Sequence, residues 1–219
     1  MHFHIVTLFP KAFGSYLGES ILKRAIEDKK VKVSFYNPRD FVENKWRRVD
    51  RSPYGGGPGL VIEALPVVRA IESALKKSQN KAQIAFLSPR GKQFTNQYAK
   101  KITKKCKNII LICGRYEGID ARVKKVFKMD EISVGPFVLT GGELPAIMIM
   151  DVVARQIPGV LGNLDSLEER RVSTSEVYTR PEVFEYEGKK YRVPKILLSG
   201  HKAKIEKWKR GLTRNRSLE

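Results

Sequence analysis

Residues Ile109–Cys113 (IILIC) are apolar without a break, and Gly114, Arg115, Tyr116 and Glu117 follow at once. A strand with one wet face alternates apolar and polar residues. An unbroken run needs cover on both faces, as in the parallel sheet of an α/β fold. The polar cluster then falls at the carboxyl end of a buried strand, where open α/β sheets place their ligands. Two further segments have the same form, Gln83–Lys92 (QIAFLSPRGK) and Glu131–Pro145 (EISVGPFVLTGGELP). Three loops of this kind between residues 83 and 145 point to one shared site.

The flanking sequence fits that frame. His2–Leu8 and Val31–Tyr36 alternate as strands. Ser20 is placed to N-cap a helix carrying Ile21, Leu22, Ala25 and Ile26 on one face. Pro66 suits the first turn of a helix that buries Val67, Ala70, Ile71, Ala74 and Leu75. Residues 39–59 (RDFVENKWRRVDRSPYGGGPG) are charged and glycine-rich, so they read as a functional or mobile loop rather than an element. Asn96–Lys107 reads as a basic helix, and Leu144–Ile157 as a helix buried all round. The organisation expected is a domain over 1–162, a polar linker over 163–177 and a smaller, basic, helical domain over 178–219, with Ile205 and Trp208 as its packing contacts.

Charge indicates the partner class. Lys and Arg total 42 against 23 acids, a net charge of +19. From Lys189 to Glu219 there are eleven Lys/Arg and two acids, with Tyr191 and Trp208 interleaved. Such a surface attracts polyanions, because each neutralised phosphate releases counterions. Nucleic acid fits better than an anionic membrane, since no strongly apolar helix face accompanies the charge. No apolar run approaches the roughly 18 residues of a membrane span, the amino-terminal residues lack signal-peptide features, and two cysteines form no disulfide framework. A cytoplasmic location is expected.

The chemistry-bearing residues are few. The glycines match neither a GxxxxGK[ST] nor a GxGxxG phosphate cradle. Tyr54–Gly59 could be a nest for an anion or a turn that needs positive φ. His2, His4 and His201 do not suggest a metal triad or a histidine relay. Asp151 and Arg155, four apart on a helix, form an ion pair on the structural reading. Loops walled by Leu87, Ile132, Val138 and Leu139 suit a flat, uncharged heterocycle read by backbone groups. Other carboxylates available are Glu117, Asp120, Asp165, Glu168 and Glu169. These residues describe a basic α/β protein with a three-loop pocket and an RNA partner, without naming a reaction.

FHIVTLFP, VDRSPYGGGPG, LSPRGK, ICGRYEGIDARV, ISVGPFVLTGGELPA, IPGVLGN, YTRP and LLSGH occur in this order along the whole chain. On these residues the chain resembles the bacterial tRNA (guanine-N1)-methyltransferases of the TrmD family, in the SPOUT class. The resemblance implies a mostly parallel α/β sheet with a deep trefoil knot and a small helical C-terminal domain. It also implies an obligate homodimer, S-adenosyl-L-methionine as methyl donor, a magnesium requirement and a tRNA substrate methylated at guanine N1 just 3′ of the anticodon. In the family this modification protects the reading frame. Carried over by position, Leu87, Ser88, Pro89, Gly114, Val134, Gly135, Pro136, Phe137, Val138, Leu139, Gly141, Gly142 and Pro145 line the donor site. Glu117 contacts the guanine and Arg155 is the essential arginine.

Two positions depart from the family. Pro136 stands where an aspartate is usual. The family's general base, an aspartate four residues before the YTRP tyrosine, corresponds to Thr174, which has no carboxylate. The linker before Tyr178 is about four residues short of the family pattern, and Glu169 is the preferred substitute base, with Glu168 and Glu176 as alternatives. Other readings are a catalytically impaired tRNA-binding protein of the same fold, and a knotted methyltransferase acting on ribose 2′-OH.

Overall fold

The computed structural model of the chain describes residues 1–162 and 176–214. In chain order the elements are β1 (His2–Val6), α1 (Gly14–Leu17), α2 (Ser20–Glu27), β2 (Lys32–Tyr36), β3 (Asp50–Arg51), β4 (Val61–Ile62), α3 (Ala64–Lys77), β5 (Gln83–Gln93), α4 (Asn96–Lys105) and β6 (Asn108–Ile112). After these come α5 (Val123–Val126), β7 (Asp130–Ser133), α6 (Glu143–Ala154), β8 (Val183–Tyr186), β9 (Lys189–Arg192), α7 (Lys195–Leu198) and α8 (Lys202–Arg214). The chain divides into two compact units, Met1–Leu161 and Gly162–Glu219.

The first unit is built on a five-stranded sheet in the order β2-β1-β6-β5-β7, with every pairing parallel. The apolar run of β6 is explained by its position at the sheet centre. Ile109, Leu111 and Cys113 face one core layer with Leu22 and Ala25 of α2, Ile102 of α4 and Ile149 and Val153 of α6. Ile110 and Ile112 face the other layer, with Val67, Ala70, Ile71 and Ala74 of α3. A strand covered on both sides cannot alternate without burying polar groups.

Several local expectations differ from the structure. Ser20 is not the cap of α2: Glu19 holds that position, and Ser20 has φ of +50° as the first helical residue. Residues 39–59 contain a two-residue strand, β3, which pairs antiparallel with β4 as the base of a hairpin. Strand β5 continues beyond Leu87 through the polar SPRGKQ, so that Leu87 and Lys92 both register with Ile132 of β7. A side chain at Gly91 would collide with the Ile132 backbone, which is why that close passage carries glycine. Helix α6 is not covered all round, since Leu144 is 54% and Met148 40% exposed.

In the second unit, the described residues of the expected helical domain also include an antiparallel hairpin, β8–β9, stacking Phe184 on Tyr191 at 5.1 Å. Ile205 and Trp208 are half-buried on α8.

Candidate active site

β5, β6 and β7 run parallel, and residues 86–90 at the irregular middle of β5 together with the loops after β6 and β7 line a cavity of about 480 Å³. This volume falls in the roughly 300–1,000 Å³ range of small-molecule sites. The loops are fastened to one another by main-chain bonds. Gly142 N–H donates to Gly114 O at 2.9 Å, and Arg115 bridges Gly141 antiparallel. A Cβ on Gly142 would stand 2.5 Å from Cys113 Cα, so the turn before α6 reaches β6 only with glycine there. Gly114 differs: a Cβ there would meet only Ile119, at 3.9 Å, leaving its face open to the cavity.

The GRYEG segment is a tight turn closed by Gly118 N–H to Arg115 O at 3.0 Å, with Tyr116 at φ +59° and Gly118 at +122°. A left-handed tyrosine is disfavoured by about 1–2 kcal/mol, and such outliers cluster at functional sites. The turn sets Glu117 on the cavity wall. Glu117 N–H donates to Leu60 O at 3.0 Å, and its side chain lies over Gly59, where a Cβ would come within 2.7 Å of Oε1. The glycine-rich YGGGPG segment is thereby joined to the site. Its Gly55, Gly56, Gly57 and Gly59 all have positive φ, as the turn reading requires.

Beneath the cavity lies a buried carboxylate that the sequence reading did not single out. Glu143, the first residue of α6, accepts from Thr7 Oγ1 at 2.7 Å and from Arg115 Nε at 2.8 Å. Arg115 also donates to Thr140 O at 3.3 Å and lies 4.7 Å over the Phe9 ring. The end of β1, the GRYEG turn and the start of α6 thus share one polar contact. On the opposite wall, Lys124 pairs with Glu131 at 2.9 Å and sits 4.4 Å over Phe86. Burial works to raise the Glu131 pKa, but hydrogen bonds from Lys124 and Ser88 and the charges of Lys124 and Arg90 outweigh it, so the net shift is downward. Burial, with the Glu143 charge second, pushes the Cys113 thiol well above its ordinary range. Cys113 is accordingly a core residue and not a nucleophile.

Comparison with known proteins decides what this cavity belongs to. The family model for tRNA (Guanine-1)-methyltransferase TrmD matches residues 1–219. The chain belongs to the TrmD family. A relative from Caldanaerobacter subterraneus subsp. tengcongensis, named tRNA (guanine-N(1)-)-methyltransferase, is 48% identical over 214 residues, covering 96% of this chain and 86% of that one. Relatives of the same name from Clostridioides difficile (strain 630) and Dehalococcoides mccartyi (strain CBDB1) are 44% and 43% identical, covering 96% and 100% of this chain and 91% and 88% of their own.

For a TrmD-family protein the expected donor-site residues are gathered closely. Leu87, Ser88, Pro89, Gly114, Val134, Phe137, Val138, Leu139, Gly141, Gly142 and Pro145 line the cavity, as does Glu117. Gly135 and Pro136 do not line it. Gly135 serves the turn instead, with its N–H and O both bonded to Ser133 Oγ, and the Phe137 ring fills the place of a side chain. Arg155 is the C-cap of α6 and is not among the cavity residues of its own chain. Glu169, Asp165, Glu168 and Thr174 lie outside the described residues, while Glu176 accepts from the Tyr178 hydroxyl at 3.0 Å. Arg90, Lys124 and Glu131 line the cavity without having been singled out. Arg90 and Glu131 lie within two of the three site segments, where attention fell on their neighbours; Lys124 lies outside all three, and its pairing with Glu131 brings it to the wall.

The cavity suits the methyl donor that the family implies. An exposed glycine face at Gly114 and walls of Leu87, Ile132, Val138 and Leu139 accept a flat heterocycle. Among the described residues no group of three or more His, Cys, Asp or Glu side chains could hold a metal ion, so these residues offer magnesium no protein cage. No helix among them is long and apolar enough to cross a membrane.

Proposed function

We propose that this TrmD-family enzyme methylates N1 of the guanosine immediately 3′ of the tRNA anticodon, and thereby protects the reading frame. The observation that carries the reading is the convergence of the GRYEG turn and the LTGGELP turn on one cavity, in a chain matched by the family model from end to end. S-adenosyl-L-methionine, when bound, supplies an electrophilic methyl group on a sulfonium centre. The chain's own residues must do the rest. The backbone of loops 87–89 and 134–142 holds and orients the donor and keeps water from it. Glu117, fixed by the strained turn, orients the guanine.

Guanine N1 carries a proton and is a weak nucleophile, so a carboxylate must accept that proton as the new N–C bond forms. Glu169 is assigned this task in place of the absent aspartate, with Glu168 or Glu176 as substitutes. Negative charge then grows toward O6, and Arg155 is the cation assigned to it. Because Arg155 lies outside its own chain's cavity, this role requires a second copy. One stripe of α6 and its C-cap supports that assembly: exposed Leu144 and Met148 and half-buried Asp151 and Arg155 follow at helical spacing, and exposed Tyr16 interacts with Asp151. The deep knot belongs to the same proposal, supported by the double registration of Leu87 and Lys92 on Ile132. The basic second unit is assigned to tRNA binding, and the cytoplasm is the matching location.

Methyl transfer to tRNA transcripts with guanosine or adenosine 3′ of the anticodon tests the reading. Labelling of the guanosine transcript alone is expected, and equal labelling of both overturns it. The matched relatives favour an active enzyme over an impaired binding protein.

A further inference from the structure

Residues 44–48 display a tryptophan in a way that folding does not require. Trp46 is 80% exposed, although Val49, three residues on, is completely buried. A large ring left in water forgoes the burial that normally rewards tryptophan, and what singles this one out is the way its turn is held and the charge around it. The mount is rigid. Both polar atoms of the Asn44 amide bind the Arg48 main chain, with Oδ1 accepting from N at 2.8 Å and Nδ2 donating to O at 2.9 Å. Arg47 N–H donates to Asn44 O at 2.9 Å, and Arg47 adopts φ of +48°. Arg39 donates to Arg47 O at 3.4 Å from below. The turn is therefore clasped at its neck with Lys45 and Trp46 at the tip.

The surroundings specify the partner's chemistry. Lys45 Nζ lies 5.4 Å from the Trp46 ring centroid, and Arg47, Arg48 and Arg51 present largely exposed guanidinium groups nearby in sequence. Of the acids around it, Asp50 is buried and paired with Arg48 at 3.3 Å, whereas Asp40 pairs with Arg47 at 3.4 Å on the exposed surface, where an ion pair is weak enough for a phosphate to displace it. An aromatic face among cations matches an unpaired base and its flanking phosphates. A membrane would ask for a larger apolar area than one ring. The mount also leads directly to the reaction site. β3 follows the turn, β4 returns beside it, Leu60 O accepts from Glu117 N, and Ile62 bridges Ile119.

We propose that Trp46 is a stacking platform for an unpaired nucleotide of the RNA substrate, with Lys45 and Arg47 neutralising the adjoining phosphates. This rests on the tRNA reading above and adds a residue that positions the substrate through a base it does not modify. The test compares wild type, Trp46→Ala, Trp46→Phe and Asn44→Ala in binding an unmodified tRNA transcript and in methyl transfer to it. Trp46→Ala is expected to weaken binding about 5- to 150-fold, the factor of one lost base–aromatic stack. KM for tRNA should rise while kcat and the melting temperature stay near wild type. Trp46→Phe should retain most of the affinity, and Asn44→Ala should lose part of it with the ring still present. The fluorescence change on adding tRNA, taken as wild type minus Trp46→Phe, should show quenching of the Trp46 signal. Binding by Trp46→Ala within twofold of wild type, Trp46→Phe as weak as alanine, or no quenching overturns the stacking role. If wild type transfers methyl normally in those cases, the methylation reading stands alone. A Trp46-dependent complex without methyl transfer leaves the platform standing and removes the reaction.

Discussion

Glu143→Gln probes the contact on which the site is built. The wild-type carboxylate is 4% exposed and joins Thr7 to Arg115, whose own side chain is 26% exposed. In the glutamine variant the oxygen can stay on Arg115 Nε, while the new NH2 turns toward Thr7 Oγ1. That hydroxyl already accepts from Phe9 N at 3.0 Å and can rotate to accept a second bond. The hydrogen-bond count then survives and the negative charge does not. Breaking a buried pair from one side costs about 3–5 kcal/mol. Arg115 keeps part of its surface in water, which lowers the expected loss to about 2–3 kcal/mol, including the favourable acid at the α6 amino terminus. At this chain length that corresponds to a fall in Tm of roughly 5–10 °C. Cys113 supplies the assay, since it is buried just after β6 against Gly142 and is expected to react with a thiol reagent only when this unit opens. Pulsed alkylation across a urea series should show its midpoint moving down in Glu143→Gln. Arg115→Met should be at least as damaging alone, and the two together should show a coupling above about 1.5 kcal/mol. Coupling within about 0.5 kcal/mol of zero would refute the claim that one ion pair holds the three segments.

Three further outcomes can be checked. Gly142→Ala should lower stability by about 1–3 kcal/mol as an overpacked contact against the Cys113 backbone; Gly114→Ala should melt like wild type yet lose donor binding by calorimetry, and the opposite pattern would reverse their assigned roles. Burial, aided by the charges of His4, Lys32, Lys77 and the amino terminus, lowers the His2 pKa to about 4. The unfolded chain then takes up the proton first, so stability should be level above about pH 6.5 and fall between pH 6.5 and 4, by about 1 kcal/mol at pH 5 after discounting for solvent; a urea midpoint in His2→Gln with the same pH dependence as wild type would contradict this. Arg155→Ala and Glu117→Ala should each abolish methyl transfer with melting unchanged, and near-normal turnover in Arg155→Ala would return that residue to the structural ion-pair role.

How much was legible depended on whether the signal was local. The IILIC run fixes β6 as a central strand because burial on both faces leaves a period-free apolar pattern, and the structure places it between β1 and β5. The extension of β5 was not legible: SPRGKQ is polar, and only pairing with β7 makes it strand. The same limit hid the second face of α6. An all-apolar helix reads as buried, although Leu144 and Met148 remain exposed in the single chain. The glycines of the site were visible as glycines, but their different duties were not. Gly142 lies against backbone and Gly114 against open space, a distinction made by neighbours far away in sequence.

This distribution explains why stability and activity should separate at some positions and not at others. Thr7, Glu143, Arg115 and Gly142 join the cavity to the core, so a change at any of them loosens the fold and the site together. Arg155 at the end of α6 and Trp46 at the tip of its clasped turn sit at the margins of the first unit, and no core cluster includes them. Substitutions there should spare the melting temperature and alter only what the protein does to RNA. A variant set spanning both groups therefore tests the architecture as a whole. Loss of melting temperature at Arg155 and Trp46, or its preservation at Glu143 and Gly142, would mean that the cavity and the substrate contacts are not divided in this way.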